Sequence, residues 1–331
     1  MPALGIAFSG GPNPSEIIEL IGLAESLGYE SAWVAEGHGG DQFAILTGAA
    51  LRTSTIQLGT AITSIFVRSI PTIAMAAATV DEVSAGRFIL GLGSSHKVQV
   101  EPEHGIVYDK PLSRTREAVA VIRALLRDGE VHYAGDTLRI ENFDFWFKPH
   151  RPDMPIYVAA VFAKMTAMCG EIADGIILTR STLNTGPRVR QQVAQGAQLA
   201  GRDPRQIAVT SLLPTMVANT RAEALDAIRP GLAFYIGFFP RYNRLIAEHG
   251  FADEAAAIAQ AWSRGDQAAA IRAVSDDMVD TTSVAGTAEQ CRQRIEEYRQ
   301  SGIDLPIISP FARGPGAKAT VEAAIKACAP R

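Results

Sequence analysis

The sequence has little cysteine: Cys169, Cys291 and Cys328 are the only three in 331 residues. They are far apart, odd in number and each within a helix-like segment. That pattern suggests neither a disulfide framework nor a thiolate metal cluster, and simple packing is their expected role. Histidine is also sparse. His38, His96, His104, His132, His150 and His249 contain no HExxH or other close pair at metal-ligand spacing, so no dedicated metal site is expected. No apolar run approaches the roughly 18 to 20 residues that a membrane helix needs, and the chain enters a strand-like segment with no basic region ahead of it. A basic stripe is missing too. The formal charge is -4 with both signs scattered, whereas a surface that tracks phosphates needs clustered Lys and Arg. The expectation is a cytoplasmic protein that acts on a small-molecule substrate, with neither nucleic acid nor membrane as partner.

Hydrophobic residues make up 47% and charged residues 20%, which supplies a large core and gives no sign of extended disorder. The length suits one domain over 1–331 built as a (β/α)8 barrel with insertions. Short apolar runs alternate with longer amphipathic stretches, the pattern of repeated βα units around a parallel sheet buried on both faces. Strand 1 is read at Leu4 to Phe8 and strand 2 at Ser31 to Ala35. Strand 3 is Ile56 to Thr63, and strand 4 is the run Arg87 to Gly93. Strand 5 is Ile156 to Val161, strand 6 Gly175 to Thr179, strand 7 Ile207 to Val217 broken by Pro214, and strand 8 Leu305 to Ser309. Asn13-Pro14 supplies a cap and a first-turn proline for the first helix. Alternation between Glu130 and Trp146 around Ala134-Gly135-Asp136 reads as a hairpin inserted after helix 4. The stretch Thr220 to Thr282 is too long for one crossover and reads as a helical insertion between strands 7 and 8, with an aromatic cluster from Phe234 to Tyr242.

In a TIM barrel the reactive groups stand at the C-terminal ends of the strands. Strand 2 ends at Glu36-Gly37-His38, where a carboxylate and an imidazole can act as acid and base toward a substrate. Equally, Glu36 can neutralise a neighbouring arginine and His38 can be a solvated loop residue. Strand 3 ends at Ala61-Ile62-Thr63. Gly91-Leu92-Gly93-Ser94-Ser95-His96 lacks the third glycine of a dinucleotide fingerprint, so it reads as a small-residue turn whose hydroxyls and N–H groups suit a flat cofactor. Ala159-Ala160-Val161 lets a ligand lie against the backbone, or packs the barrel tightly. Strand 6 ends at Thr179-Arg180.

The segment from Met75 through Asp81-Glu82, Ser84 and Gly86-Arg87 to Gly91 and Gly93 resembles the luciferase-like superfamily, in particular its methylenetetrahydromethanopterin-reductase-like, deazaflavin-dependent branch. Gly59 to Thr63, Ala173-Asp174-Gly175 and Val284 to Thr287 extend the resemblance over essentially the whole chain. It implies an oxidoreductase that uses coenzyme F420, with FMN as the alternative cofactor, and a homodimer. It also implies a non-prolyl cis peptide at Ala61-Ile62 behind the cofactor ring. Cofactor contacts are implied from Glu36, Ala61, Ile62, Thr63, Gly93, Ser94, Ser95, Ala159, Ala160 and Val161, with Thr179 near the phosphate-bearing tail. Where the family often ends strand 2 with Asp-His, this chain has Glu36 with the imidazole displaced to His38. Where some sugar-phosphate dehydrogenases of the branch carry a catalytic glutamate, it has His96. Glu36, His38 and His96 are therefore the expected proton-handling residues. An FMN-dependent monooxygenase and a non-catalytic flavin-binding protein are the rival readings.

Overall fold

The computed structural model describes residues 3–330. Eight parallel strands close into a barrel: Gly5–Phe8, Ser31–Val34, Gln57–Thr60 continuing as Thr63–Ser64, Phe88–Gly93, Ile156–Ala159, Gly175–Thr179, Ala208–Val217 and Leu305–Pro310. The first strand pairs with the second and the eighth, and the sixth with the fifth and the seventh, so the ring has no free edge. Among the described residues no helix is long and apolar enough to cross a membrane.

Helix starts follow the caps written in the sequence. Asn13 accepts from Glu16 N at 3.1 Å while the Glu16 carboxylate accepts from Asn13 N at 2.9 Å, and Pro14 follows in the first turn. Thr220 with Glu223 and Thr287 with Gln290 form the same reciprocal box. The barrel interior is filled. Trp33 is fully buried, donates to Ser31 Oγ at 2.9 Å and lies 5.9 Å from the Tyr157 ring. Gly59 makes room for it, since a Cβ there would stand 2.3 Å from the indole.

Two motifs that carry the family resemblance serve the N-terminal rim of the barrel. Asp81, 1% exposed, receives Arg151 Nε at 3.1 Å on both oxygens, and Arg151 also donates to Phe88 O at 2.7 Å. Arg87 donates to Ile56 O at 2.7 Å and Thr53 O at 3.0 Å, closing the turn that leads into the third strand. Asp174 does similar work between the fifth and sixth strands, accepting from Ile156 N at 2.8 Å and pairing with Arg123. These residues hold strand ends on the face opposite the mouth, where a barrel carries stability and not chemistry.

The third strand corrects one expectation. Its bulge is present: Gly59 pairs with Ile89 and Thr63 with Leu92, so one extra residue sits on the third strand. The peptide at Ala61-Ile62 is nevertheless trans, as are all bonds of the described residues. Thr60 Oγ1 replaces the missing ladder bonds by accepting from Gly91 N at 2.8 Å and donating to Gly91 O at 2.9 Å. A bulge stitched by a side chain needs no cis bond, which costs about 3–4 kcal/mol outside proline.

Pro214 does not break the seventh strand, which runs unbroken through it. Ala208 N bonds Asp174 O, so by two-residue alternation Pro214 N faces the same side. There the ladder to the sixth strand ends at Leu212, and a ladder to a short strand missed in the sequence, Val284–Gly286, begins at Thr215. Proline occupies the gap where no donor is needed.

The hairpin is observed as Glu130–Ala134 and Arg139–Asp144, its turn held by the Glu117 carboxylate through Asp136 N and Leu138 N at 2.7 and 2.8 Å. The insertion between strands seven and eight is helical: Arg221–Phe238, Pro240–Glu248, Ala252–Ser263, Gln267–Arg272 and Asp276–Thr282. It has its own core around Leu232, Ile236, Ile246 and Ile258. All three cysteines are buried and unbridged.

Candidate active site

The glycines of the fourth strand fit the bulge. A Cβ on Gly91 would stand 2.0 Å from Thr60 O, and one on Gly93 would meet Ile62 Cγ2 at 2.6 Å and Ala159 Cβ at 3.2 Å. Ile62, Gly93 and Ala159 are thus in one contact at the mouth. Thr63 faces elsewhere: its Oγ1 accepts from Gln42 Nε2 at 2.9 Å. Ser94 and Ser95 are half-buried beyond Gly93, and Ser95 has φ +53. The Ser95 carbonyl lies 3.5 Å from both Tyr108 OH and Arg241 Nη1.

The three expected proton-handling residues occupy different surroundings. Glu36 has both oxygens engaged, by Ser64 N at 2.7 Å and Arg68 Nε at 2.5 Å, and Arg68 also reaches Asp41 at 2.6 Å. Of its two readings, neutralisation of an arginine is the one observed. His38 has an 81% exposed side chain, with Nε2 3.2 Å from Glu103. His96 lies under the insertion, 4.6 Å from the Phe239 ring and 4.9 Å from Tyr242. Burial, then the nearby Arg241 charge, pushes its imidazole down to about 4, so it is neutral near pH 7.

A cavity of about 450 Å³ opens at the ends of the fifth and sixth strands, lined by Ala160, Val161 and Thr179 together with Lys164, Arg180, Arg188 and Arg244. Glu248 is its one carboxylate, and Arg244 Nε bonds it at 2.8 Å. The helices Ala163–Ile172 and Thr185–Leu199 carry Lys164 and Arg188, and they touch backbone to backbone. A Cβ on Gly170 would stand 2.1 Å from Val193 O, and one on Gly196 would stand 1.8 Å from Ala167 O. Thr179 Oγ1 is buried beside the Tyr242 hydroxyl, and His249 Nε2 is buried without a hydrogen-bond partner, its ring pushed toward the neutral form by burial and by the Arg188 charge. The loop after the sixth strand is fixed by Tyr298 OH on Ser181 O at 2.7 Å and by Ser211 Oγ on Ser181 Oγ at 2.9 Å.

Arg180 is the residue the sequence reading passed over. It is 8% exposed, has φ +55, and its guanidinium carbon lies 4.2 Å from the Tyr235 ring centroid. Among the described residues it makes no ion pair. The only advance signal was its place next to Thr179, because Tyr235, which covers it, belongs to the insertion.

The arrangement defines a class: a TIM barrel whose C-terminal mouth joins a cationic cavity suited to an anionic small molecule. A family model described as luciferase-like monooxygenase matches residues 4–305, and the chain belongs to that family. A 5,10-methylenetetrahydromethanopterin reductase of Methanolobus tindarius is 30% identical over 321 residues, covering 96% of this chain and 97% of the relative. The solved coenzyme F420-dependent tetrahydromethanopterin reductase of Methanopyrus kandleri superposes with a TM-score of 0.85 at 27% identity, over 98% of this chain and 97% of its own. The FMN complex of the oxygenating constituent of 3,6-diketocamphane monooxygenase from Pseudomonas putida shares the fold, with a TM-score of 0.71 at 16% identity over 99% and 98% of the two chains.

Proposed function

We propose that this chain is an F420-dependent oxidoreductase that moves a hydride between the deazaflavin and a small organic substrate. The observation that carries the reading is the cationic cavity beside the mouth. Three rim cations, Lys164, Arg188 and Arg244, fit a cofactor whose tail carries a phosphodiester and carboxylates. The ring would lie at the mouth beside Ile62, Gly93 and Ala159, where the missing side chain of Gly93 lets Ile62 and Ala159 pack directly on the fourth strand. When bound, the deazaflavin supplies the hydride chemistry at a ring carbon. The chain's own residues orient and shield. Glu36 is a positioning residue that fixes Ser64 and hence the bulge, and His96, neutral near pH 7, serves as a hydrogen-bonding wall of the mouth and not as an acid.

The FMN-dependent monooxygenase reading shares the fold but leaves most of the cavity's charge without a counterpart, since FMN carries one phosphate. Arg188→Gln combined with Arg244→Gln separates the two. These side chains are exposed, so each contact is worth on the order of 0.5–1 kcal/mol and is screened by salt. The double variant is expected to bind F420 about tenfold more weakly at low salt, with a smaller loss for FMN. An F420 affinity equal to that of the parent would show that the cavity takes no part in cofactor binding.

A further inference from the structure

A second, smaller cavity lies on the other side of Arg180. It is a slot of about 60 Å³ between the ends of the first, seventh and eighth strands and the helix Arg221–Phe238. Its walls are mainly apolar, among them Pro214, Met216, Leu232 and Phe311, with Ser9 and Ser309 as polar members, and Arg180 and Tyr235 line it too. The volume has room for roughly four water-sized groups, the scale of a short or branched hydrocarbon chain. Across from Phe311, Gly231 leaves the slot open: a Cβ there would meet only Phe311 Cδ1, at 3.8 Å.

We infer that this slot receives the substrate, and that the substrate is a small carboxylic acid whose carboxylate pairs with Arg180 and whose apolar chain fills the slot. The electrostatics call for an anion. Removing a guanidinium from water costs several kcal/mol, whereas a desolvated cation–π contact with Tyr235 returns only about 2 kcal/mol. No described carboxylate stands within ion-pair distance of Arg180, although nearly every other buried or half-buried arginine of the barrel has one or bonds several carbonyls, as Arg151 and Arg87 do. Its left-handed backbone, costly for a residue with a Cβ, is of the kind that persists at ligand clamps. Arg180 lines both cavities, and Tyr235, on which its guanidinium stacks, lines the slot and not the larger one. Calling the anion a substrate rests on the hydride-transfer reading above. An anion at Arg180 can also come from the cofactor tail, and the test separates these sources.

Thermal unfolding is measured for the full chain with isobutyrate, with its neutral isostere isobutyramide and with inorganic phosphate, each on the parent, Arg180→Leu and Arg180→Lys. A ligand that binds only the native state raises Tm with its concentration. Isobutyrate is expected to raise Tm in the parent, isobutyramide to do so far less, and Arg180→Leu to abolish the difference. Arg180→Lys should restore part of it, since the charge remains but the fork is lost. Equal shifts from acid and amide, or an isobutyrate shift that survives Arg180→Leu, overturn the proposal. So does a result in which Arg180→Leu abolishes the phosphate shift and spares that of isobutyrate, because Arg180 then serves the cofactor tail. If Arg180→Leu fails to fold by circular dichroism, Gly231→Leu fills the slot instead. It must remove the isobutyrate shift, and persistence of the shift overturns the assignment. An F420 titration of the parent reports separately on the cofactor reading: an Arg180-dependent carboxylate site without F420 binding would sink that reading and leave the slot as an acid-binding site.

Discussion

Gly196→Ala is expected to lower the unfolding free energy by about 3 kcal/mol and to remove most F420 affinity, a large effect for one methyl group on a helix whose interior ordinarily prefers alanine. Propensity alone predicts stabilisation of about 1 kcal/mol. The crossing decides the sign, because the new Cβ would stand 1.8 Å from Ala167 O, a backbone atom that cannot swing aside. The helices Ala163–Ile172 and Thr185–Leu199 must separate, and they carry Lys164 and Arg188, which both line the cationic cavity. Urea unfolding measures the first effect and an F420 titration of the folded variant measures the second. A variant as stable as the parent would show that these helices do not touch as described.

Acidification is expected to destabilise the protein through His96. Its imidazole protonates at about 4 in the folded chain against an ordinary value of 6.5, so between those values the unfolded state takes up a proton that the native state refuses. Stability is therefore intact above about pH 6.5 and falls as the pH drops toward 4, by up to about 3 kcal/mol. His249, also pushed down by burial and by Arg188, acts in the same direction. His96→Gln keeps a hydrogen-bonding group and cannot be protonated in this range. Unfolding free energies at about pH 7.5 and about pH 4.5 should show a clearly smaller difference in that variant than in the parent. Equal differences would mean that His96 is not held neutral beneath Phe239 and Tyr242.

Much of the barrel is legible in the sequence because each strand is an apolar run between caps that the structure also uses, such as Asn13 with Glu16 and Thr287 with Gln290. Pro214 misleads because a proline harms a strand only where its missing donor was needed, and the ladder change at Thr215 cannot be seen along the chain. The cis peptide was carried over from a family pattern, whereas Thr60 stitches this bulge with a hydroxyl. The site is harder to read. Ile62, Gly93 and Ala159 fall at strand ends and can be placed by counting, but the cavity joins residues 160–192 to 244–249 across an insertion whose docking has no periodic signal. Arg180 stands in the sequence only as the residue after Thr179 at the end of strand 6, and Tyr235, which covers it, lies far along the chain.

The proposed occupant of the mouth and its cationic cavity is a deazaflavin. Titrating the purified protein with F420 and, separately, with FMN, followed by visible absorbance and intrinsic fluorescence, tests it most directly. F420 is expected to bind with an affinity on the order of micromolar or tighter, and FMN at least about tenfold more weakly. Preference for FMN, or binding of neither, would contradict it.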